Sequence, residues 1–195
     1  MNLTTAHTIM SLGLAAALMG TAPVCGASAF DAVIVGVDVK RIAPRSDATP
    51  RVAQVRVVDV RTEAGRELER TTIGAVSMGK IHLEPTAPVL IQAIVEAKAD
   101  ALLARRSVIE PQDVHCGLFA FEIATPATLL YWDVRARIEV GLRVQGRERT
   151  ISAAAAERTF SWPSQELVTR VTNMALERLG GEAEQVLDEL LLPPR

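Results

Sequence analysis

Residues 131–144 read Tyr-Trp-Asp-Val-Arg-Ala-Arg-Ile-Glu-Val-Gly-Leu-Arg-Val, and this stretch decides the fold. Every even position carries an apolar side chain, whereas most odd positions carry a charged one. Successive side chains of a β-strand point to opposite faces, so one face of this strand is predicted to be buried and the other wet. One-sided burial is typical of antiparallel sheets. The stretch therefore predicts an antiparallel strand with a core face and a solvent face.

The flanking sequence predicts two partner strands. Gln145-Gly146 is a turn signal, and residues 147–161 are predicted to return as a paired strand, although the alanine block at 153–156 favours helix. A preceding strand is predicted at 114–124, before Pro126. The three strands would form a meander.

The N-terminal half predicts two further strands, at 32–42 and 52–60, because both are rich in β-branched residues. We expect them to pair with each other across the turn-rich stretch 44–50. Residues 61–78 are polar and rich in glycine, which indicates a surface loop with one helical turn.

Two helices complete the prediction. Thr86-Ala87-Pro88 is expected to open a helix that ends near Arg105-Arg106, since proline is tolerated in a first turn and basic residues suit a C-terminus. A second helix is predicted to start at 161–164, with a break or kink at Gly180-Gly181 and an amphipathic continuation at 182–192.

These elements follow one another in the order β-β-α-β-β-β-α. Helices packed on one face of a mainly antiparallel sheet give an α+β fold, because the sheet face and the helix stripes each need an apolar partner. No repeat and no internal linker is visible, so residues 30–195 are predicted to form a single domain.

The first 29 residues contain no Lys, Arg, Asp or Glu. An apolar run at 9–20 is followed by Ala27-Ser28-Ala29, which matches the small-residue pattern of signal peptidase cleavage. We therefore expect residues 1–29 to be a signal peptide, cleavage between Ala29 and Phe30, and a periplasmic location.

Cys25 leaves a second interpretation open. It directly follows the apolar run and could be lipidated, which would make the chain a membrane-anchored lipoprotein of the envelope. Only Cys116 would remain in a chain that starts at Phe30, so a disulfide framework is excluded there.

Composition narrows the classes of partner. The formal net charge is −2, which argues against nucleic acid, because phosphate binding favours a basic surface. Beyond residue 30 no apolar stretch approaches the length of a membrane-spanning helix, so no transmembrane span is expected after cleavage.

Few residue patterns in the chain suggest catalysis or metal binding. His115 and Cys116 are adjacent on a predicted strand and so should face opposite sides, which argues against a nucleophile–base pair. His82 and His115 lack the spacing of a metal site. We predict no catalytic, cofactor-binding or metal-binding residues.

Two charged groups are more readily explained as surface features. Asp59 and Arg61 are two residues apart on one strand face, where a surface salt bridge or a loop anchor is expected rather than a site for a charged partner. Arg135, Arg137 and Arg143 alternate with Asp133 and Glu139, and this mixture of signs indicates a solvated strand surface rather than a phosphate groove.

The chain resembles a known group of proteins in its layout. A strand that ends in Asp59-Val60-Arg61 precedes a loop with Gly74 and then a helix; the long strand with Trp132 near its start, the Gly146 hairpin and the C-terminal helix follow. This order is similar to that of the YajG-type envelope lipoproteins. It is more loosely similar to the N-terminal domain of the curli-secretion and penicillin-binding-protein-activator lipoproteins. The resemblance implies an envelope protein without established enzymatic activity.

The leading functional prediction is an exported, non-enzymatic protein-interaction or assembly module of the cell envelope. It would bind another envelope protein through its sheet edge or a helix face, and self-association stays open. The alternative is a periplasmic carrier of a small apolar ligand, which would fit between sheet and helices beside Trp132, where the small side chains of 153–156 leave room.

Overall fold

The computed structural model describes residues 32–46, 49, 51–71 and 77–191. The predicted signal peptide, the cleavage site between Ala29 and Phe30, and Cys25 lie outside these residues. The elements, in chain order, are β1 (Val33–Gly36), α1 (Val39–Ile42), β2 (Ala53–Asp59), α2 (Glu63–Arg66), β3 (Leu68–Thr71), β4 (Ser77–Glu84), α3 (Ala87–Arg105), β5 (Gln112–Ala124), β6 (Trp132–Val144), β7 (Arg147–Thr159) and α4 (Gln165–Leu190).

The strands form two sheets. The large sheet has the order β2-β5-β6-β7, and the small sheet has the order β1-β4-β3. Strands β5, β6 and β7 pair antiparallel as the predicted meander, whereas β2 pairs parallel to β5 and β1 parallel to β4. The predicted α+β class, with a mainly antiparallel sheet and helices packed against it, is confirmed.

The helix face of the large sheet is the side on which α3 and α4 pack. All the even positions of β6 from Val134 to Val144 are buried there, as the alternation predicts. In β5 a bulge at Phe119 shifts the buried positions from even to odd, so that Phe121 and Ile123 also point to the helices. The opposite side, the open face, carries the exposed positions of the same strands.

Two predictions about the N-terminal half are wrong. The first apolar run is not one strand over 32–42, because Asp38 caps a helical turn, accepting a hydrogen bond from the Lys40 N–H at 3.0 Å. The first two strands do not pair with each other, since each pairs parallel with a strand that follows it later in the chain. A parallel pairing of this kind leaves no local turn signal.

The described residues of the stretch 61–78 form more regular structure than predicted. This stretch contains α2 and β3, and β4 begins within it, rather than forming only a loop. The helical turn was predicted, but a strand of four residues such as β3 is too short for its periodicity to stand out.

The C-terminal helix is continuous from Gln165 to Leu190, so the predicted break at Gly180-Gly181 is wrong. Gly180 is buried against α3, where a β-carbon would lie 3.7 Å from the Ile94 side chain. A glycine inside a helix costs about 1 kcal/mol relative to alanine. The nine buried apolar residues along α4 outweigh that cost.

A buried carboxylate joins α3 to the start of β2. Asp100 is fully buried, and its Oδ1 accepts hydrogen bonds from the backbone N–H groups of Val52 and Ala53, each at 2.8 Å. The Arg45 guanidinium forms an ion pair with the second oxygen. The carboxylate thus fixes where the first strand of the large sheet meets its covering helix.

Replacing Asp100 by alanine is expected to lower the free energy of unfolding by about 3 kcal/mol, because it leaves the N–H groups of Val52 and Ala53 and the Arg45 guanidinium without their acceptor. Urea denaturation followed by circular dichroism measures the loss. Glu96→Ala is the control, since Glu96 reaches Arg45 only at 3.7 Å near the surface, and should change stability by less than about 1 kcal/mol. Equal effects of the two substitutions would contradict the assigned role of Asp100.

Candidate functional site

Strand β7 is an edge of the large sheet, and no described strand pairs with its outer side. It is thirteen residues long, and its stretch 150–156 carries no charge. The guanidinium of Arg178, from α4, donates to the Ala154 carbonyl, so this carbonyl points away from β6. Backbone groups alternate sides along an antiparallel strand, and therefore Ser152 and Ala156 also direct their N–H and C=O groups outward.

A shallow depression of about 510 Å³ lies beside this edge on the open face. Its floor is formed by the small side chains of Ala124, Ala154 and Ala156. Four charged residues surround the floor: Glu122, Arg135, Arg137 and Arg178. The site therefore combines a free strand edge, an apolar floor and a predominantly cationic rim.

The arginines of the rim are held in place by neighbouring carboxylates. Arg135 binds Asp133 at 3.0 Å, and Arg137 binds Glu139 at 2.7 Å. Hydrogen bonds from Arg158 and then from Arg135 hold the pKa of Asp133 below its usual range. The mixed-sign row predicted from the sequence is thus present on the open face.

The alanine block at 153–156 divides between the two faces. Ala153 and Ala155 are buried on the helix face, whereas Ala154 and Ala156 line the depression on the open face. The room that these small side chains create beside the edge is thus on the open face, opposite the helices. Trp132, beside which a ligand space was predicted, packs instead against Trp162, with ring centroids 4.8 Å apart.

The other half of the open face is built around Phe119. The exposed ring of this residue covers two glycines on adjacent strands, Gly117 and Gly141. A β-carbon at Gly141 would come within 2.7 Å of the ring, so only glycine leaves room for the ring in this position. Val58 and Val60 are exposed nearby and extend an apolar patch that the sequence did not indicate.

His115 and Cys116 lie on opposite faces of β5. His115 is exposed on the open face, whereas Cys116 is buried in the core. Burial raises the pKa of the Cys116 thiol to about 12. The reactive thiolate is therefore not formed near neutral pH, and the residue packs as a small apolar side chain.

Asp59 and Arg61 form the predicted ion pair, but Arg61 is buried rather than at the surface. Two hydrogen bonds join the side chains, at 2.8 and 2.9 Å, and Arg66 lies 3.6 Å from the same carboxylate. The bond from Arg61 holds the pKa of Asp59 below its usual range, against the opposing effect of burial. Asp59, Arg61 and Arg66 line a depression of about 440 Å³ at the start of α3, and His82 lines it as well.

Among the residues that the structure describes, no group of His, Cys, Asp and Glu has the arrangement of a metal site. None of the helices in this part of the chain has the length and apolar character required to cross a bilayer.

Comparisons with known proteins leave the family open. No family model matches the chain, and no curated protein matches it. The resemblance to YajG-type lipoproteins therefore stays a prediction.

Three solved structures resemble parts of the fold. An uncharacterised protein shows a TM-score of 0.46 at 7% identity, over 81% of this chain and 98% of its own. A protein of Caulobacter crescentus CB15 that is provisionally called a lipoprotein gives 0.28 at 13% identity, over 50% of this chain and 77% of its own. The N-terminal domain of Thermus thermophilus Protein Y gives 0.23 at 13% identity, over 61% of this chain and 97% of its own. With TM-scores below 0.5, these likenesses carry no argument about function.

The Asp59–Arg61 pair predicts a specific pH dependence of stability. Because the folded-state pKa of Asp59 is depressed, its contribution is present at neutral pH and is lost as the pH falls through that folded-state pKa. Asp59→Asn should lower the free energy of unfolding by about 2 kcal/mol at pH 7, with a smaller difference below about pH 4. Urea denaturation at a series of pH values measures both.

The matched control is Asp113→Asn, which changes an exposed aspartate on β5. It should leave stability at pH 7 within about 0.5 kcal/mol of the wild type. A loss for Asp59→Asn that stays constant from neutral to acid pH would contradict the assigned ion pair.

Proposed function

We propose that this chain is an exported, non-catalytic protein of the cell envelope that binds an extended segment of another envelope protein along the outer edge of β7. The observation that carries the proposal is the free, uncharged stretch of this edge beside a depression with an alanine floor. Export is supported by the apolar run 9–20 and the small-residue triplet 27–29.

An added strand would use two kinds of contact. Its backbone would pair with the outward N–H and C=O groups of Ser152, Ala154 and Ala156. Its alternate side chains would lie over the open face, and those next to β7 would enter the depression. Since three guanidinium groups and one carboxylate form the rim, the favoured segment carries an acidic residue flanked by apolar ones.

The contact from Arg178 protects the β7 edge from unwanted strand pairing when this partner is absent. The Arg178 guanidinium occupies the outward carbonyl of Ala154, and the partner must displace it. A cation at an exposed edge disfavours indiscriminate strand pairing. Binding would therefore require a segment whose side chains also fit the depression, and this requirement gives specificity.

The absence of catalysis is part of the same proposal. The thiol of Cys116 is buried, and its raised pKa suppresses nucleophilic reactivity. His115, on the other face of the strand, cannot serve it as a base. The open face instead presents side chains suited to contact: small, apolar or paired in salt bridges.

A second candidate function is the transport of a small apolar molecule, with the alanine floor as its contact surface. Native mass spectrometry of the protein purified from its own envelope would show the bound molecule as an added mass. Ala154→Trp would fill the depression and should abolish that added mass. Retention of the ligand by this variant would exclude the depression as the site.

Photo-crosslinking in the native host tests the proposed β7 edge. A photoreactive amino acid at Ser152 should give a discrete adduct with one envelope protein, whereas the same group at Gln54, on the β2 edge, should not. An adduct of twice the chain mass would show that the partner is a second copy of this chain rather than another envelope protein. Equal adducts from both positions would contradict the β7 edge as the site.

A proline at Ala156 provides the sharper test of backbone pairing. Ala156→Pro removes one outward N–H without breaking the ladder between β6 and β7, since proline is tolerated on the free side of an edge strand. We expect the adduct from position 152 to fall about ten-fold, because the ring also obstructs the incoming strand. Circular dichroism should confirm that the variant is folded.

Ala156→Ser is the matched control, because it changes the side chain but keeps the N–H group. It should leave the adduct near its wild-type yield. If proline and serine reduce the adduct equally, the contact depends on the side chain at 156 and not on strand addition.

A further inference from the structure

Two neighbouring loops at one end of the large sheet expose large apolar side chains. The first follows β5 and the second follows β7, and neither 123–132 nor 159–165 contains Asp, Glu, Lys or Arg. Exposed fractions are 93% for Leu129, 79% for Leu130, 80% for Phe160 and 40% for Trp162. These four side chains are called the apolar tip below. An exposed cluster of this kind marks a surface that contacts something apolar.

Hydrogen bonds within the two loops hold the apolar tip in a defined conformation. The hydroxyl oxygen of Thr128 accepts hydrogen bonds from the N–H groups of Leu130 and Tyr131, at 3.2 and 3.0 Å, and this turn presents Leu129 and Leu130 to solvent. The Thr159 hydroxyl oxygen accepts from the Ser161 N–H at 3.2 Å in the second loop. Hydrogen bonds thus fix the conformation in which the apolar side chains are exposed.

Aromatic contacts join the two loops. The rings of Tyr131 and Phe160 meet edge to face at a centroid distance of 6.5 Å, and Trp162 meets Trp132 at 4.8 Å. Behind them, the Arg158 guanidinium lies 3.8 Å from the Tyr131 ring centroid. A layer of Tyr, Trp and Arg behind an apolar surface is the arrangement found where proteins meet the headgroups of a bilayer.

The chain enters the fold at the end where the apolar tip lies. The guanidinium of Arg70, near the end of β3, lies 5.3 Å from the Trp162 ring centroid. Because β4 runs antiparallel to β3 and β1 runs parallel to β4, the first residue of β1 points to this same end. The chain before Val33 includes Cys25, so lipidation of Cys25 would bring the membrane to this end, whereas cleavage between Ala29 and Phe30 would remove that link.

We infer that the apolar tip inserts into the headgroup–acyl boundary of a phospholipid bilayer and sets the orientation of the domain on the membrane. The lack of charge in both loops favours lipid over a protein partner, because protein interfaces are usually rimmed by polar groups. The outward position Ser152 of β7 lies seven residues before Thr159, the end of the strand at the apolar tip, so the bilayer leaves it free. The inference does not rest on the proposed binding at that edge.

The two tryptophans of the chain, Trp132 and Trp162, both lie at this end, so their fluorescence reports insertion directly. The full-length chain is mixed with vesicles of phosphatidylcholine brominated along the acyl chains, and with unbrominated vesicles as reference. We expect quenching by the brominated lipid that persists in high salt, because apolar contact and not charge drives insertion. If the leader alone brought the tryptophans to the bilayer, the Leu129→Ser/Leu130→Ser variant described below, which keeps the leader, would be quenched like the wild type.

The double substitution Leu129→Ser and Leu130→Ser should reduce the quenching about ten-fold, because it removes the two most exposed leucines. Ile109→Ser is the matched control: Ile109 is 86% exposed but precedes β5, at the opposite end of the strand from the tip. Its tryptophan fluorescence should be quenched to the same extent as that of the wild type. Circular dichroism should show that both variants are folded.

Each of the following results would overturn the inference. One is wild-type fluorescence that is equal in brominated and unbrominated vesicles while the chain is bound to them. The other is quenching that survives in the Leu129/Leu130 variant, or that is lost equally in the Ile109 variant. Loss of all quenching in high salt would also overturn it, because adsorption by charge would then explain the contact.

Discussion

The burial of one face of β6 is the constraint on which the rest of the structure depends. Six apolar side chains from Val134 to Val144 require a cover, and α4 supplies it, while α3 packs on β2 and β5 of the same sheet. The charged positions between them require water, so the opposite face stays open. Because both long helices pack on one side, the described elements leave the open face, the β7 edge and the loops at the strand ends uncovered.

These exposed surfaces lie at different places on the same sheet, and their chemistry differs. The β7 edge offers backbone groups and an arginine-rimmed depression, which suit an extended polypeptide. The end of the sheet offers apolar and aromatic side chains without charge, which suit the boundary of a bilayer. A domain that contacts a membrane with the end of its sheet would hold the β7 edge beside the bilayer and available to a membrane-associated partner.

The sequence predicted the helices and strands in which buried residues recur with the period of a helix or a strand. Strand β6 was evident from its alternation, and the meander and the start of α3 followed from turns and from Pro88. Parallel pairings could not be predicted, because no local turn joins β1 to β4 or β2 to β5. The continuity of α4 across Gly180 follows from the burial of nine apolar residues along the helix, which is a tertiary effect.

The candidate surfaces were only partly predictable. A sheet edge was expected to bind a partner, but the contact from Arg178 to Ala154 joins residues 24 positions apart and needs the folded structure. The apolar tip was missed because Leu129 and Leu130 are residues that patterns normally assign to a core. Their exposure follows from the Thr128 turn, which no apolar periodicity reports.

Backbone amide hydrogen exchange along β7, measured by NMR on the isolated protein, tests the central claim most directly. The exchange rates of successive N–H groups along β7 should alternate between fast and slow. The outward N–H groups of Ser152 and Ala156 exchange fast, whereas the inward N–H groups of Ile151, Ala153 and Ala155 are protected by the ladder to β6. Uniformly slow exchange along 151–156 would mean that the edge is already covered, and would contradict the assignment of β7 as a free binding edge.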